Sequence, residues 1–252
     1  MVNVPRAVRA LFLCVSLGGA PFVLGQGNPE FRPALVGNGP DSLVNLIDTE
    51  KLLREGQGDA VVFFEEPVFA APIKADLGTV YRASPNSKLL QKEILHALRR
   101  ARFIPAIAQH KPARVFFRGT VMFFARTQPH LRVLANQDPH ELASLSDFIA
   151  PQLIFGTTNW EKSNQQLEAA VRLNKNGAVV MSLHVDEKGK LLSTSVISED
   201  PPSFHFGGAI SKAFEHAQFI PGFRDGKPVD CSFQMTEYVV IERVLRWGGY
   251  LP

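Results

Sequence analysis

The stretch AQFIPGFRDGKP, residues 217–228, repeats the skeleton of an earlier stretch, ARFIPAIAQHKP, residues 101–112. Phe103 and Phe219 lie 116 residues apart, and the same offset joins the two Phe-Ile-Pro triplets and the two Lys-Pro pairs. A match of this length at one fixed offset indicates a duplicated unit. We therefore expect two structurally related units in this chain.

The residues before each Phe-Ile-Pro triplet have helical spacing. Apolar residues recur at intervals of three and four positions and match across the repeat: Leu90, Ile94, Ala97, Leu98 and Ala101 in the first unit, and Phe206, Ile210, Ala213, Phe214 and Ala217 in the second. This spacing predicts one helix with an apolar face in each unit. Proline ends each helix because it lacks an amide hydrogen and its ring blocks the next turn.

Strand patterns lie on both sides of each predicted helix. In the second unit, VVMSLHVDEKGKLLSTSVI, residues 179–197, alternates around Met181 and has turn residues at 186–189, which predicts a hairpin whose turn needs a positive φ. In the first unit Pro67 and Pro72 each remove a backbone donor, so we expect an irregular hairpin there. A last strand follows the helix and loop, and each unit has the order strand, strand, helix, strand.

The length and composition suit two small folded domains. The chain has 252 residues, of which 45% are hydrophobic. We expect an α+β fold of two domains, residues 26–136 and 137–252, each a three-stranded antiparallel sheet with a helix packed on one face. Residues 31–55 and 127–175 are too apolar for free linkers, so we expect them to pack beside the sheets, the first through a short helix in LVNLIDTEKLL.

The first 25 residues predict an export signal. Arg6 and Arg9 precede an apolar run at residues 10–25, and no acidic residue is present. This run is shorter than the roughly 20 residues that a membrane-spanning helix needs. We therefore expect cleavage before Gln26 and a periplasmic or secreted protein, with membrane contact only if the segment is retained.

Charge and cysteine content narrow the partners and bonds to be expected. Without the signal segment, 25 basic residues balance 24 acidic ones, so the charge gives no reason to expect nucleic acid binding. Cys14 leaves with the signal segment, and Cys231 alone has no partner for an intrachain disulfide. Packing is therefore expected to stabilise the fold.

The sequence predicts no catalytic, metal or cofactor site. The seven histidines form no close pair at ligand spacing with a supporting acidic or thiol partner. Glu65 and Glu66 are adjacent strand residues that point to opposite faces, so we interpret them as a solvated edge rather than an acid–base pair. Cys231 shares the apolar face of its strand with Phe233 and Met235, where burial disfavours the thiolate.

The second unit resembles the C-terminal domain of the TonB family of energy transducers. The resemblance covers residues 174–240: a glycine before the first strand, an acidic-glycine turn, a helix ending in Phe-x-Pro, and a Gly-x-Pro-Val entry to the last strand. The first unit, residues 58–125, matches in its helix, Phe-Ile-Pro and Lys-Pro, so its membership rests on the internal repeat. The resemblance implies a periplasmic domain that captures an extended peptide of an outer-membrane receptor by adding it to the last strand.

We expect partner binding at the edges formed by the last strands, residues 115–124 and 230–238. The side chains predicted to contact a protein or extended peptide there are Phe116, Arg118, Thr120, Ser232, Gln234, Thr236 and Tyr238. An exposed edge offers unpaired amides and carbonyls, and alternate side chains select the partner. Phe116, Phe117, Phe123 and Phe124 put rings on both faces of the earlier strand, so one face needs a cover from the second domain, another subunit or a ligand peptide.

The leading expectation is an exported, noncatalytic adaptor of the cell envelope that binds protein by strand addition. Energy transducers of this family use a membrane anchor and a long proline-rich linker, whereas here a cleavable segment is closely followed by a folded unit. Three alternatives stay open: an anchored energy transducer if residues 10–25 are retained, a structural homodimer through edge strands, and a hydrolase if folding forms a polar cleft. Trp247 and Tyr250 in the tail suit a docking contact.

Overall fold

The computed structural model describes residues 29–69, 78–159, 167, 170, 172–173, 175–202 and 204–239. We refer to residues 29–136 as the first half and to residues 137–239 as the second half. The predicted signal segment, Pro72, Trp247 and Tyr250 lie outside the described residues.

The described chain is a mixed α/β structure of several small antiparallel sheets and short helices. The elements of the first half are, in order, β1 (Phe31–Arg32), α1 (Leu43–Leu46), α2 (Thr49–Arg54), β2 (Ala60–Val68), β3 (Thr79–Ala83), α3 (Lys88–Leu98), β4 (Ala106–Ala108), β5 (Lys111–Ala113), β6 (Val115–Phe123) and β7 (Leu131–Leu134). Those of the second half are α4 (Pro139–Ser144), β8 (Gln152–Leu153), β9 (Gly177–Val185), β10 (Leu191–Asp200), α5 (Phe206–Ala213), β11 (Phe219–Ile220), β12 (Gly222–Arg224), β13 (Lys227–Val229) and β14 (Cys231–Val239).

The elements recur at the offset seen in the sequence. Strands β4, β5 and β6 begin and end 116 residues before β12, β13 and β14. Both halves also have two antiparallel strands followed by a helix before this set, with β2 and β3 preceding α3 and with β9 and β10 preceding α5.

The second half contains an antiparallel sheet with the strand order β10-β9-β14. Central strand β9 buries alternate residues, among them Met181 and Leu183, which have no exposed surface. These side chains share a core with Ile210 of α5 and Phe233 of β14. The period-two pattern of the strand and the helical pattern of α5 therefore meet on one face, as their spacing predicts.

The β9–β10 turn has the predicted geometry. Gly189 has a φ of 78°, and its amide donates to the carbonyl of Asp186 at 3.0 Å. The Asp186 carboxylate accepts from the amides of Lys188 and Lys190 at 2.9 and 2.8 Å. Aspartate closes the turn through these bonds, and glycine supplies the left-handed backbone at little steric cost.

The first half has a four-stranded sheet with the order β3-β2-β6-β7, so the expectation of three strands is wrong there. The fourth strand comes from LRVL, residues 131–134, at the start of the segment 127–175 that we expected to pack beside the sheets. Pairing between β2 and β3 ends at Glu65 and Thr79, while Pro67 lies beyond it and is in register with Phe116 of β6. Among the described residues, β2 thus has a strand on one side only at the position of this proline.

Residues 31–55 contain two short helices rather than the single one expected in LVNLIDTEKLL. Helices α1 and α2 are separated by Ile47 and Asp48, and the Asp48 carboxylate accepts from the amide of Lys51 at 2.8 Å. Because Asp48 caps the first turn of α2, α2 begins as a separate helix and is not continuous with α1. Among the described residues the longest helix, α3, has 11 residues, and none combines the length and hydropathy that a membrane crossing needs.

Candidate binding edges

Strand β6 is not an open edge. Its residues 120–123 pair with β7, and Val115 forms an antiparallel bridge with Ile154 of the second half. Thr120 has no exposed surface, and its hydroxyl donates to the carbonyl of Asn136 at 2.7 Å. The prediction of an open edge at residues 115–124 is therefore wrong, and Phe116, Arg118 and Thr120 do not border one.

The face of β6 opposite α3 is covered by the second half of the chain. Phe116 packs against the core of the second half, and its ring lies 5.2 Å from that of Phe155. Phe117 points the other way and is 1% exposed in the core of the first half. The sequence left three possible covers for this face of β6. The structure shows that the second half of the same chain covers Phe116.

Arg118 joins the two halves through charges. Its Nε donates to Glu65 Oε2 at 2.6 Å, and its Nη2 donates to Glu237 Oε2 at 2.5 Å. The side chains of Arg118, Glu65 and Glu237 are 16, 20 and 16% exposed. We call these three residues the Arg118 cluster. The interpretation of Glu65 as part of a solvated edge is wrong, because the second half removes its carboxylate from most solvent.

Burial and charge act in opposite directions on the Arg118 cluster. Burial lowers the pKa of Arg118, but the carboxylates of Glu237 and Glu65 outweigh burial and hold that pKa above its usual value. Burial raises the pKa of Glu237 in spite of the positive charge of Arg118. The guanidinium is therefore the group that allows two carboxylates to be buried side by side.

Among the residues that the structure describes, strand β14 pairs with β9 only, but Tyr81 of the first half and Asp138 cover part of its other edge. The amide of Gln234 donates to Asp138 Oδ2 at 3.0 Å, and the other oxygen of Asp138 caps α4. The rings of Tyr81 and Tyr238 lie 5.1 Å apart, and the Tyr81 hydroxyl donates to Gln137 Oε1. A partner strand that added here would displace these contacts.

The predicted contact residues of β14 thus differ in their surroundings. Ser232 is exposed, and Tyr238 is 38% exposed beside Tyr81. The backbone of Gln234 is engaged by Asp138, and Thr236 borders a hollow that Gln137 also lines. The edge at residues 230–238 is free of a pairing strand among the described residues, but it is not open along its length.

Strand β10, at the opposite side of the sheet, has the open edge. Among the residues that the structure describes, only β9 pairs with it. Seven of its ten residues are exposed, and Leu192, Val196 and Ile197 are 48, 42 and 51% exposed. The register with β9 shifts at Leu192 and at Ile197, which marks two bulges. Sequence reasoning missed this edge, although three apolar residues among serines were a signal for it.

Outside the Arg118 cluster, the described residues form ion pairs of two members, such as Lys51 with Glu93 and Arg224 with Glu141. His184 Nε2 lies 2.6 Å from Asp230 Oδ1, and both side chains are exposed, by 40 and 52%. No group of three histidine, cysteine, aspartate or glutamate residues is positioned to hold a metal ion within the described ranges. Cys231 is half-buried, and burial raises the pKa of its thiol to about 11.

We expect Cys231 to react with iodoacetamide at pH 8 about a hundredfold more slowly in the folded protein than in the urea-unfolded protein. Its thiol pKa of about 11 compares with about 8.5 in an unfolded chain, and the thiolate is the nucleophile. The rate should rise as the pH is increased from 8 toward 11. Peptide mass spectrometry of quenched samples measures modification at this residue, and equal rates in both states would contradict the burial argument.

The comparisons with known proteins identify one family. The sequence pattern described as Gram-negative bacterial TonB protein C-terminal matches residues 168–239, a range that contains β9, β10, α5 and β14. No curated protein and no solved structure matches the chain. Domains of this family are noncatalytic interaction domains of the cell envelope that contact outer-membrane proteins. The second half of this chain is thus similar to a TonB C-terminal domain.

Proposed function

We propose that this chain is a noncatalytic protein-binding adaptor of the cell envelope that takes up an extended segment of its partner as an added strand. Two tandem copies of a TonB C-terminal-like fold, within residues 26–136 and 137–252, would form the protein. The match at residues 168–239 supports the assignment of the second copy. The recurrence of β4, β5 and β6 at β12, β13 and β14 supports that of the first.

The observation that carries the binding mode is the outer edge of β10, with which no strand of the described residues pairs. An edge strand presents a row of amides and carbonyls that an incoming strand satisfies, and exposed side chains on it add contact area. Leu192, Val196 and Ile197 supply that area. We therefore place strand addition at β10 rather than at β14, where Asp138 already accepts from Gln234.

We further propose that the protein is exported and that residues 1–25 are removed. Arg6, Arg9 and the following apolar run have the pattern of a signal segment. Mass measurement of the protein isolated from cells tests this step. A mature chain that starts near Gln26 is expected, whereas an intact N-terminus in the membrane fraction would favour an anchored energy transducer, the alternative that the family match suggests.

Affinity capture from envelope extract tests binding at β10. The wild-type protein is expected to retain specific envelope proteins, and Thr194→Pro is expected to retain them about tenfold less, because it removes an amide from the edge and disturbs its pairing. Ile104→Glu is the control, since Ile104 is a similarly exposed apolar residue, at 38%, in the first half. Circular dichroism checks that both variants fold.

Three results would contradict this proposal. The first is equal retention by wild type and Thr194→Pro. The second is a loss of retention by Ile104→Glu as large as that by Thr194→Pro. The third is wild-type protein that retains nothing beyond bare resin.

A further inference from the structure

We propose that β10 of this chain pairs antiparallel with β10 of a second copy, about a two-fold axis at Ser195, when no partner occupies the edge. This inference rests on the proposed function, because it concerns the same edge of β10. It states which strand pairs with that edge when no partner protein is bound. Partner uptake and self-association then exclude each other.

The backbone directions in the sheet place suitable groups on the outer edge. The Gln234 amide points away from β9, because it donates to Asp138. Ser182 of β9 is in register with Gln234, so the amide and carbonyl of Ser182 point away from β14 and toward β10. On β10, the residue in register with Ser182 is Ser195. Ser195 bonds inward, and the neighbouring amides and carbonyls of Thr194 and Val196 point outward.

The regular part of β10 is short and lies between the two bulges. Residues 193–196 follow one register with β9, and the shifts occur on either side of them. Pairing about Ser195 makes Thr194 of one copy face Val196 of the other, twice by symmetry. These pairs have their backbone groups directed at each other and are β-branched pairs, which stabilise antiparallel strands.

The charges of β10 are complementary to a reversed copy of the strand. Lys190 and Asp200 lie five residues before and five residues after Ser195, and both are exposed. Antiparallel pairing about Ser195 brings the Lys190 side chain of each copy to the end of the contact where Asp200 of the other copy lies, while the Lys190 backbone keeps its bridge to Gln218 of its own chain. The same strand in parallel orientation would place like charges side by side, so the charge pattern selects the antiparallel arrangement.

The apolar residues of the edge are covered in this arrangement. Leu192 and Ile197, the residues at the two bulges, are 48 and 51% exposed, and they lie beside the central pairs where a second strand reduces their contact with water. A long exposed edge with such residues is an aggregation hazard unless something covers it. A two-fold contact removes the hazard because it closes on itself.

Strand β14 of a second copy would be a less favourable partner for β10 than β10 of a second copy. Pairing of β10 with β14 of a second copy would be head-to-tail and would extend into a fibre. It would also displace Asp138 from the Gln234 amide and separate Tyr81 from Tyr238. We therefore assign the contact to two β10 strands.

Sedimentation velocity over a dilution series tests the arrangement with the mature full-length protein. The wild-type protein is expected to sediment as a concentration-dependent dimer, and Thr194→Pro as a monomer. Lys190→Glu and Asp200→Lys are each expected to weaken dimerisation about tenfold, because each change makes two attractive pairs repulsive. The double variant K190E/D200K reverses both signs and is expected to restore wild-type affinity.

A synthetic peptide of residues 190–200, KLLSTSVISED, is a direct probe of the edge. It is expected to bind the wild-type protein and to shift it toward monomer, whereas a scrambled peptide of the same composition should do neither. A wild-type protein that stays monomeric at all concentrations, or a dimer that the charge reversals leave unchanged, would overturn the inference. If such a monomer still loses envelope partners on Thr194→Pro, the proposed function survives without the dimer.

Discussion

Replacement of Arg118 by alanine is expected to lower the free energy of unfolding by about 3–5 kcal/mol, the range for removing one partner of a buried ion pair. The guanidinium donates to Glu65 at 2.6 Å and to Glu237 at 2.5 Å, and all three side chains are at least four-fifths buried. Alanine would leave two carboxylates facing each other without a cation. Urea denaturation measures the loss.

The pH dependence of this variant follows from the carboxylates. Burial raises the pKa of Glu237 even beside Arg118, and removal of the guanidinium raises it further. A carboxyl group with a higher pKa in the folded state binds its proton more tightly there, so the free energy of unfolding falls as the pH rises through that folded-state pKa. The deficit of Arg118→Ala is therefore expected to be smaller at pH 5 than at pH 8.

Two further variants separate the charge effect from lost packing. Addition of Glu65→Gln and Glu237→Gln to Arg118→Ala is expected to restore at least half of the lost stability, because it removes the unpaired charges. Arg102→Ala is the matched control: its ion pair with Asp41 spans 3.6 Å, and the side chains are 81 and 59% exposed. That control should change stability by less than about 1 kcal/mol. An equal loss in Arg118→Ala and Arg102→Ala would refute the buried cluster.

Replacement of Gly189 by alanine is expected to lower the free energy of unfolding by about 3 kcal/mol, through a strained backbone and a steric clash. Gly189 has a φ of 78°, and a Cβ there would lie 1.9 Å from the carbonyl oxygen of Phe219. This oxygen is main chain, so relief of the clash requires the β9–β10 turn and the segment around Phe219 to separate. The same two segments are joined by the bond from the Phe219 amide to the Gly189 carbonyl, at 2.9 Å.

Gly226 gives a matched control for the turn. Its φ is 71°, and a Cβ there would meet nothing within 4 Å. Gly226→Ala is therefore expected to lower stability by about 1–2 kcal/mol, the cost of the left-handed backbone alone. Thermal or urea unfolding of both variants gives the difference that the clash adds. Equal losses in the two variants would mean that the segment around Phe219 moves aside freely.

The contact residues assigned from sequence illustrate how far local patterns reach. Alternation along the last strand of the second half correctly placed Phe233 and Met235 on a buried face. The same pattern in the first half assigned Arg118 and Thr120 to a partner, although Arg118 contacts Glu237, 119 residues away in the chain. A single sequence contains no signal that connects two such positions, because the ion pair depends on how the halves pack.

Short elements were the second feature that the sequence patterns failed to predict. LRVL, residues 131–134, is too brief for its period to distinguish a strand from a loop, and it becomes β7 because β6 offers it an unpaired edge. The break between α1 and α2 depends on one aspartate cap at Asp48. In both places a backbone group decides the structure: β7 pairs with backbone groups of β6, and Asp48 caps the Lys51 amide. The sequence alone does not show that these backbone groups are free to bond.

The sequence by itself determined the repeated order of elements, the turn at residues 186–189 and the apolar faces of the strands and helices. These features depend on residues within a few positions of one another, where φ preferences and spacing act directly. Only the tertiary structure decided which edges are covered: β6 by β7, part of β14 by Asp138 and Tyr81, and β10 by no described strand. The physical reason is that an edge is open or closed according to what packs against it. Asp138 and Tyr81, which cover part of β14, are distant from it in the chain, and β7 is too short for its pattern to predict a strand.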